Sequence, residues 1–349
     1  MNPSKKTTLD RIAAASGVSL STVDRVLNRR GGVSPAKEAR VLEWANRLNV
    51  DRVLFRGYLR MLRVAVLMAS PKNPFYRGLH DAFAELGTTM AEMRMTSVIY
   101  HLDPGNVRAA VKQLREGATA CDALIVIGPN DPELAAALRQ LSTTLPVVTL
   151  VTDIPGSGRI AYVGPDNRQM GRVAGELTGR FLGPQGGDVL LLLGMHHIIG
   201  HEEREMGFRS VIRERFPQLN ISASLESGED GNRAGEVIGH ALRENSDIRG
   251  IYNVSSGNTR IARALMSMGL DQQVVLITHE LTAERSRMLR EGAIDAIIDQ
   301  DPREEARRAV ELLGRHFNRI EPATTTGSFT PFHIYLRENC PVDPDEKIF

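Results

Sequence analysis

From residue 62 onward the chain alternates short apolar runs with segments of helical periodicity, and this alternation constrains the fold more than any other feature. Continuous apolar runs at 62–68, 96–102, 123–127, 147–151, 189–193, 221–225, 250–254, 274–278 and 293–299 read as strands buried on both faces, as in parallel sheets. Between most of them lie helix-period segments at 75–87, 105–116, 132–142, 168–182, 202–215, 231–244, 258–268, 282–290 and 303–317. Strands alternating with helices mean an α/β fold with parallel sheets. So many units exceed one compact domain, and the run Asp153-Ile154-Pro155-Gly156-Ser157-Gly158 is a loop-rich break near the middle. Two similar α/β lobes facing a cleft form the economical architecture, with a ligand at the carboxyl ends of the strands.

The first sixty residues differ in charge and in period. Residues 1–63 hold 13 Lys/Arg against 5 Asp/Glu, whereas the remaining 286 hold 30 against 37. A small basic module on a mildly acidic body is the footprint of a polyanion-binding head, or else of a solvated basic arm. Thr8 is placed to cap a first helix that turns Leu9, Ile12 and Ala13 to one face and ends near Gly17. Ser19 caps a second helix, 20–27, whose buried stripe is Val23, Val26 and Leu27 and whose outer face is Leu20, Ser21, Asp24 and Arg25. Ser34-Pro35 starts a third, running to about Leu48 and turning Val41, Trp44, Ala45 and Leu48 inward. Helix, tight glycine turn, helix and supporting helix make a helix-turn-helix, although a plain three-helix packing module would use the same caps. A short helix fits the DNA major groove, where an arginine donates two parallel bonds to guanine, and hydroxyls at helix starts hold phosphates.

The residues Thr8-Leu9, Ile12-Ala13, Gly17-Val18-Ser19, Thr22-Val23 and Arg25-Val26-Leu27-Asn28, with Val33-Ser34 and Leu48-Asn49 in register, resemble the N-terminal motif of the LacI/GalR family of transcription regulators. That resemblance implies base-reading positions at Leu20, Ser21 and Arg25, and backbone contacts at Thr8, Ser19, Thr22, Asn28 and Ser34. Asp24 departs from the family's usual Ser; it is expected to orient Arg25 or to accept from a cytosine amino group. The family's hinge helix carries a Leu wedge for the minor groove, and Leu59 falls in that register. There Arg52 replaces the usual Pro, and Gly57 sits inside the expected helix at a cost of about 1 kcal/mol.

Over the body, Asn73-Pro74-Phe75-Tyr76, Asp166-Asn167 with Gly171, Arg204 with Gly207-Phe208, His279-Glu280 and Gln300-Asp301-Pro302 resemble, in order and spacing, the cleft segments of periplasmic sugar-binding proteins and their LacI-family relatives. The implied core is a two-lobed periplasmic-binding-protein type I fold with parallel sheets, holding a sugar, cyclitol or similar polyol. A polyol buries many hydroxyls, each needing a partner, and charged planar groups supply two bonds of fixed geometry. By that logic Phe75 is the stacking platform, and Asp153, His201, Arg204, Glu280 and Gln300 are polar ligands, with Asn253, Ser256 and Asn258 at a further strand end. Plainer roles are core packing for Phe75, a surface pair with Glu203 or Glu205 for Arg204, and helix capping for Gln300.

Rival constellations are weaker. His196-His197 with His201-Glu202 lacks the spacing of a metal-binding helix; neither a metal nor a cofactor is expected. Gly156-x-Gly158 is no dinucleotide fingerprint, and no phosphate-binding loop or nucleophile elbow is present. Cys121 and Cys340 are too few for a disulfide framework, and both are expected to be inert thiols. No apolar run reaches the length of a membrane span, and Met1 to Thr8 is polar and basic, unlike a signal peptide, so a cytoplasmic protein is expected. The expected organisation is a DNA-binding domain at 1–49, a linker at 50–61, a two-lobed effector and dimerisation domain at 62–338 and an irregular tail at 339–349. The expected function is that of a homodimeric regulator, a repressor by default, without enzymatic activity, that binds double-stranded operator DNA under effector control. The competing expectation is a sugar-processing enzyme with a DNA-binding head, such as a kinase-like regulator.

Overall fold

The computed structural model describes residues 3–27, 30–48, 60–103, 105–195, 197–321 and 329–341. In the head, α1 (Pro3–Ser16), α2 (Leu20–Leu27) and α3 (Pro35–Arg47) close over a small core of Ile12, Val23, Val26 and Val41, with Leu9, Ala13, Val18, Leu27, Val33, Ala45 and Leu48 around it. Gly17 turns the chain at φ +63°, where a side chain would be strained. The Ser19 hydroxyl accepts from the Thr22 amide at 3.2 Å and so caps α2. One expectation is corrected: α1 begins at Pro3, so Thr8 lies inside the helix instead of capping it.

The body has two sheets. In lobe one, β1 (Leu62–Ala69), β2 (Met95–Leu102), β3 (Ala123–Val126), β4 (Val147–Leu150) and β5 (Ala161–Val163) are all parallel in the order β2-β1-β3-β4-β5. In lobe two, β6 (Gly187–Leu193), β7 (Leu219–Glu226), β8 (Ile248–Asn253), β9 (Val275–His279), β10 (Ala296–Asp299) and β11 (His333–Tyr335) take the order β11-β10-β9-β8-β6-β7, parallel except for β11.

The continuous apolar runs have a simple cause. Along β1, Val64, Val66 and Met68 enter one core with α4 (Pro74–Glu85), α5 (Gly87–Glu92) and α13 (Pro302–His316). Ala65 and Leu67 enter another, with α6 (Val107–Ala118) and α7 (Pro132–Leu141). Likewise β6 sends Val189, Leu191 and Leu193 toward α8 (Asn167–Leu182) and α9 (Ile199–Arg215), and Leu190 and Leu192 toward α10 (Gly231–Glu244), α11 (Asn258–Ser267) and α12 (Ala283–Glu291). A strand with helices on both faces has no solvent side and needs no polar alternation.

The chain passes between the lobes three times. It leaves lobe one after β5 to form α8. It returns after β10, since Ala306, Ala309, Val310 and Leu313 of α13 pack in the lobe-one core. It then goes back to lobe two with β11. These crossings are tied together near Tyr162, whose hydroxyl donates to the carbonyls of Val151 and Pro165 at 3.0 Å each. The Thr330 amide donates to the Gly164 carbonyl at 2.8 Å. Strands β5 and β11, of three residues each, are too short to show a period in the sequence. Cys340, expected in an irregular tail, is instead buried in the lobe-two core, and both cysteines are free. Among the described residues, no helix is long and apolar enough to cross a membrane.

Candidate functional site in the interlobe cleft

At the carboxyl ends of the strands, both lobes line one cavity of about 550 Å³. Lobe one offers packed carbon around Phe75, with the charged Lys72 and Asp103 beside it. The Asn73 side chain accepts from the Phe75 amide at 2.9 Å and caps α4, with Pro74 in its first turn. That cap presents Phe75 and Tyr76 to the cavity in edge-to-face contact, centroids 5.4 Å apart. Phe75 belongs at once to the lobe-one core and to the cavity wall, so packing and cleft lining are one role there. Val151 also lines the cavity, held at φ +67°, a rare conformation for a β-branched residue.

Lobe two offers charge. Arg204 projects from α9 and is 3% exposed. It does not pair with Glu203 or Glu205; its Nε donates to Asn167 at 2.8 Å and an Nη to Gln300 at 3.0 Å. Its other Nη lies 4.0 Å from Glu280. Gln300 in turn donates to Glu280 at 3.3 Å, and Glu280 pairs with Arg285 at 2.6 Å. Gln300 therefore does not cap a helix; Asp301 caps α13. Two glycines permit this placement. A Cβ at Gly171 would overlap the Arg204 carbonyl, and one at Gly207 the Arg168 carbonyl, so α8 and α9 cross at backbone contact.

His201 also faces the cavity, and its Nδ1 accepts from the Met195 amide at 3.4 Å. Its Nε2 points to Glu229 at 3.8 Å. The sequence expectation omitted Glu229. It follows β7 in the turn before α10, at φ +63°, and burial together with the nearby charge of Glu280 pushes its carboxyl up to about 7. Glu280 also sits in the left-handed region, at φ +60°. Strain of this kind in three cavity residues, Val151 included, fits a site whose geometry outranks local backbone comfort. Beneath the cavity, burial drives the His279 imidazole well below its usual range, and its Nε2 shares a 2.6 Å hydrogen bond with the Tyr252 hydroxyl.

Of the nine effector positions expected from the sequence, Phe75, His201, Arg204, Ser256, Glu280 and Gln300 line the cavity. Asp153 does not. Its carboxylate is taken by Arg159 at 2.5 Å and by the Thr149 hydroxyl at 2.8 Å, which hold it below the usual carboxylate range despite burial. Asn253 and Asn258 are also off the wall. Asn253 donates to Asn258 at 2.9 Å and accepts from the Ser255 amide at 3.0 Å, shaping the loop that carries Ser255 and Ser256. The sequence omitted Asn73, Tyr76, Asn167 and Glu229 as ligands. The first three lay inside the motifs already singled out; Glu229 had only its place at a strand's carboxyl end.

On the head, Leu20, Ser21 and Arg25 are exposed at the start and along the outer face of α2. Ser19 and Thr22 share a 2.8 Å hydroxyl contact beside them, and Ser34 is exposed before α3. Asp24 pairs with Arg30 at 2.9 Å. Asn28 and Leu59 lie outside the described residues, as does most of the expected linker.

Two doubly wound lobes around a cavity with an apolar and a charged side, behind a helix-turn-helix, define a two-lobed small-molecule-binding protein with a DNA-binding head. A family model described as a periplasmic binding protein domain matches residues 64–319, and one described as bacterial regulatory proteins of the lacI family matches residues 8–50. The chain belongs to the periplasmic binding protein domain family and carries a lacI-family helix-turn-helix domain at its N-terminus. It is similar to the HTH-type transcriptional regulator DegA of Bacillus subtilis, at 26% identity over 67% of this chain and 70% of that one. It is also similar to a D-ribose/D-allose-binding protein of Pseudomonas aeruginosa, at 23% identity over 68% of this chain and 76% of that one. Among solved structures, GanP, a glucose-galactose binding protein from Geobacillus stearothermophilus, superposes with a TM-score of 0.72 at 21% identity, covering 81% of this chain and all of that one.

Proposed function

We propose that the protein is a cytoplasmic, homodimeric repressor that binds a pseudo-palindromic operator and releases or grips it according to a small sugar or polyol held in the interlobe cleft. The carrying observation is the cavity itself: an aromatic pair from lobe one opposes the Arg204–Gln300–Glu280 network of lobe two. Such a wall packs against ring C–H groups on one side and exchanges hydrogen bonds with hydroxyls on the other. The sugars named for the similar binding proteins support the same class. The role in this reading is binding: Arg204, Gln300, Glu280 and Arg285 are bonded to one another, an arrangement suited to exchanging hydrogen bonds with hydroxyls.

In this mechanism each head lays α2 in a major groove, with Arg25 on a guanine edge. Ligand contacts both lobes and so favours the closed cleft; it shifts operator affinity only by its differential affinity for the two states. The test is a thermal-shift screen with pentoses, hexoses and cyclitols, followed by operator binding with and without the hit. A ligand at 100 times its dissociation constant adds about 2.7 kcal/mol of stability. A sugar that stabilises the protein yet leaves operator affinity unchanged would sink the regulatory coupling.

A further inference from the structure

The cleft lies at the carboxyl ends of the lobe-one strands, whereas the chain enters lobe one from the head at their amino ends. There Arg60, two residues before β1, is held twice. Its guanidinium pairs with Asp122 at 2.5 Å, and its carbonyl accepts from an Nη of Arg319 at 3.1 Å. Arg63 is held twice as well. Its amide donates to the other Asp122 oxygen at 2.9 Å, and its carbonyl accepts from the Asp122 amide at 2.7 Å. Asp122 stands directly before β3, and Arg319 lies just beyond α13. This is more than an exposed surface pair, because the same carboxylate also accepts from a backbone amide and is itself mostly buried.

The end of α13 fixes the Arg319 side of the grip. Asn318 turns left-handed at φ +55°, its amide donates to the Arg315 carbonyl at 2.9 Å, and the Arg319 amide donates to the Gly314 carbonyl at 2.6 Å. Those two bonds make a Schellman motif, which sets the direction in which the chain leaves the helix. Arg319 is buried there. The other end of α13 starts in the cleft network. Gln300, bonded to Arg204 at 3.0 Å and to Glu280 at 3.3 Å, directly precedes the Asp301 cap. The helix between has 15 residues, a length of about 22 Å. It therefore runs from lobe-two contacts at the cleft, along the lobe-one core, to the segment that leads to the head.

We propose that Asp122 and Arg319 are positioning residues for regulation: they fix Arg60 to the foot of lobe one, so that cleft motion reaches the DNA-binding head. With the grip released, the chain at 60–63 pivots, and the head no longer follows the lobes. The proposal rests on the reading of an effector-controlled regulator and names the residues that transmit the control. The element with two states is the cleft, and the grip is what lets the head sense which state it is in.

The experiment needs no effector. Across the cleft rim the Asn130 amide donates to the His197 carbonyl at 2.7 Å, and both residues are exposed. Asn130→Cys with His197→Cys in the full chain, bridged by a short bis-maleimide, locks the lobes together, while Cys121 and Cys340 are buried. Operator affinity is then measured bridged and unbridged, on a duplex that the wild-type chain selects from a random library. With the grip intact, bridging changes that affinity at least about tenfold. Asp122→Ala and Arg319→Gln each bring the ratio below about threefold and leave the unbridged affinity within about threefold. Arg60→Ala, at a side chain 57% exposed, does the same without disturbing the core. Arg303→Ala, which removes an exposed pair with Glu85 at the other end of α13, leaves the ratio unchanged. A ratio untouched by all three grip variants would overturn the proposal while effector control of the operator stands. Equal weakening of bridged and unbridged affinity would also overturn it, leaving the grip a structural role only. Bridging without effect on the intact protein would overturn the regulatory reading itself, and the proposal with it.

Discussion

Lobe one meets the cleft with its core, and lobe two meets it with a network. Phe75 is simultaneously cavity wall and lobe-one core, whereas Arg204 is held by three polar groups from three segments. An apolar wall is set by packing and is hard to change without loss of stability. A polar wall is set by mutual hydrogen bonding, and its members discriminate among ligands by what they leave unpaired. The two faces are thus expected to fail differently.

The largest effect should come where the lobe-two network depends on backbone contact. Gly207→Val drives a side chain into the Arg168 carbonyl and should cost about 3 kcal/mol in denaturant unfolding. Gly87→Ala in lobe one, which meets open space, should be neutral or slightly stabilising in the same assay. Equal costs would break the contrast between a backbone-limited and a side-chain-limited lobe. Phe75→Ala should lower stability by about 3 kcal/mol even without ligand, because it empties a core position. A variant with unchanged unfolding would show Phe75 to be lining only.

Arg204→Ala should weaken effector binding by about a hundredfold, leaving Asn167, Gln300 and Glu280 short of a donor. If only thermal stability fell while titration gave the wild-type affinity, the polar face would be structural and the comparison would collapse. The smallest effect is a pH dependence. Glu229 is raised from an ordinary 4.5 to about 7, chiefly by burial, so the stability it contributes is full below 4.5 and is lost as pH rises through about 7. The Tm of Glu229→Gln relative to wild type should therefore climb between those values and level off above. A flat difference across that window would mean a solvated carboxylate.

Legibility in the sequence tracked the range of the interaction. The strand runs and the head's inward residues were readable because burial imposes a period on neighbouring positions: Ile12, Val23, Val26 and Val41 are the head core that the helical spacing selected. Arg204 and Gln300 were singled out as residues, but not as a pair, since 96 positions separate them. Asp153 shows the opposite failure. Its type and place suited a sugar ligand, yet Arg159, six residues on, claims it. Strand β11 is invisible until β10 offers its free edge.

Taken alone, the order of apolar and polar residues determined that this chain builds parallel α/β lobes behind a helix-turn-helix, because secondary structure and burial are written at spacings of two to four residues. Only the tertiary structure decided which carboxylate is spent and which is left facing the cavity. Charge compensation is settled by distances across lobes and between helices, and those distances exist only once α8 and α9 have closed on their glycines and α13 has returned to lobe one.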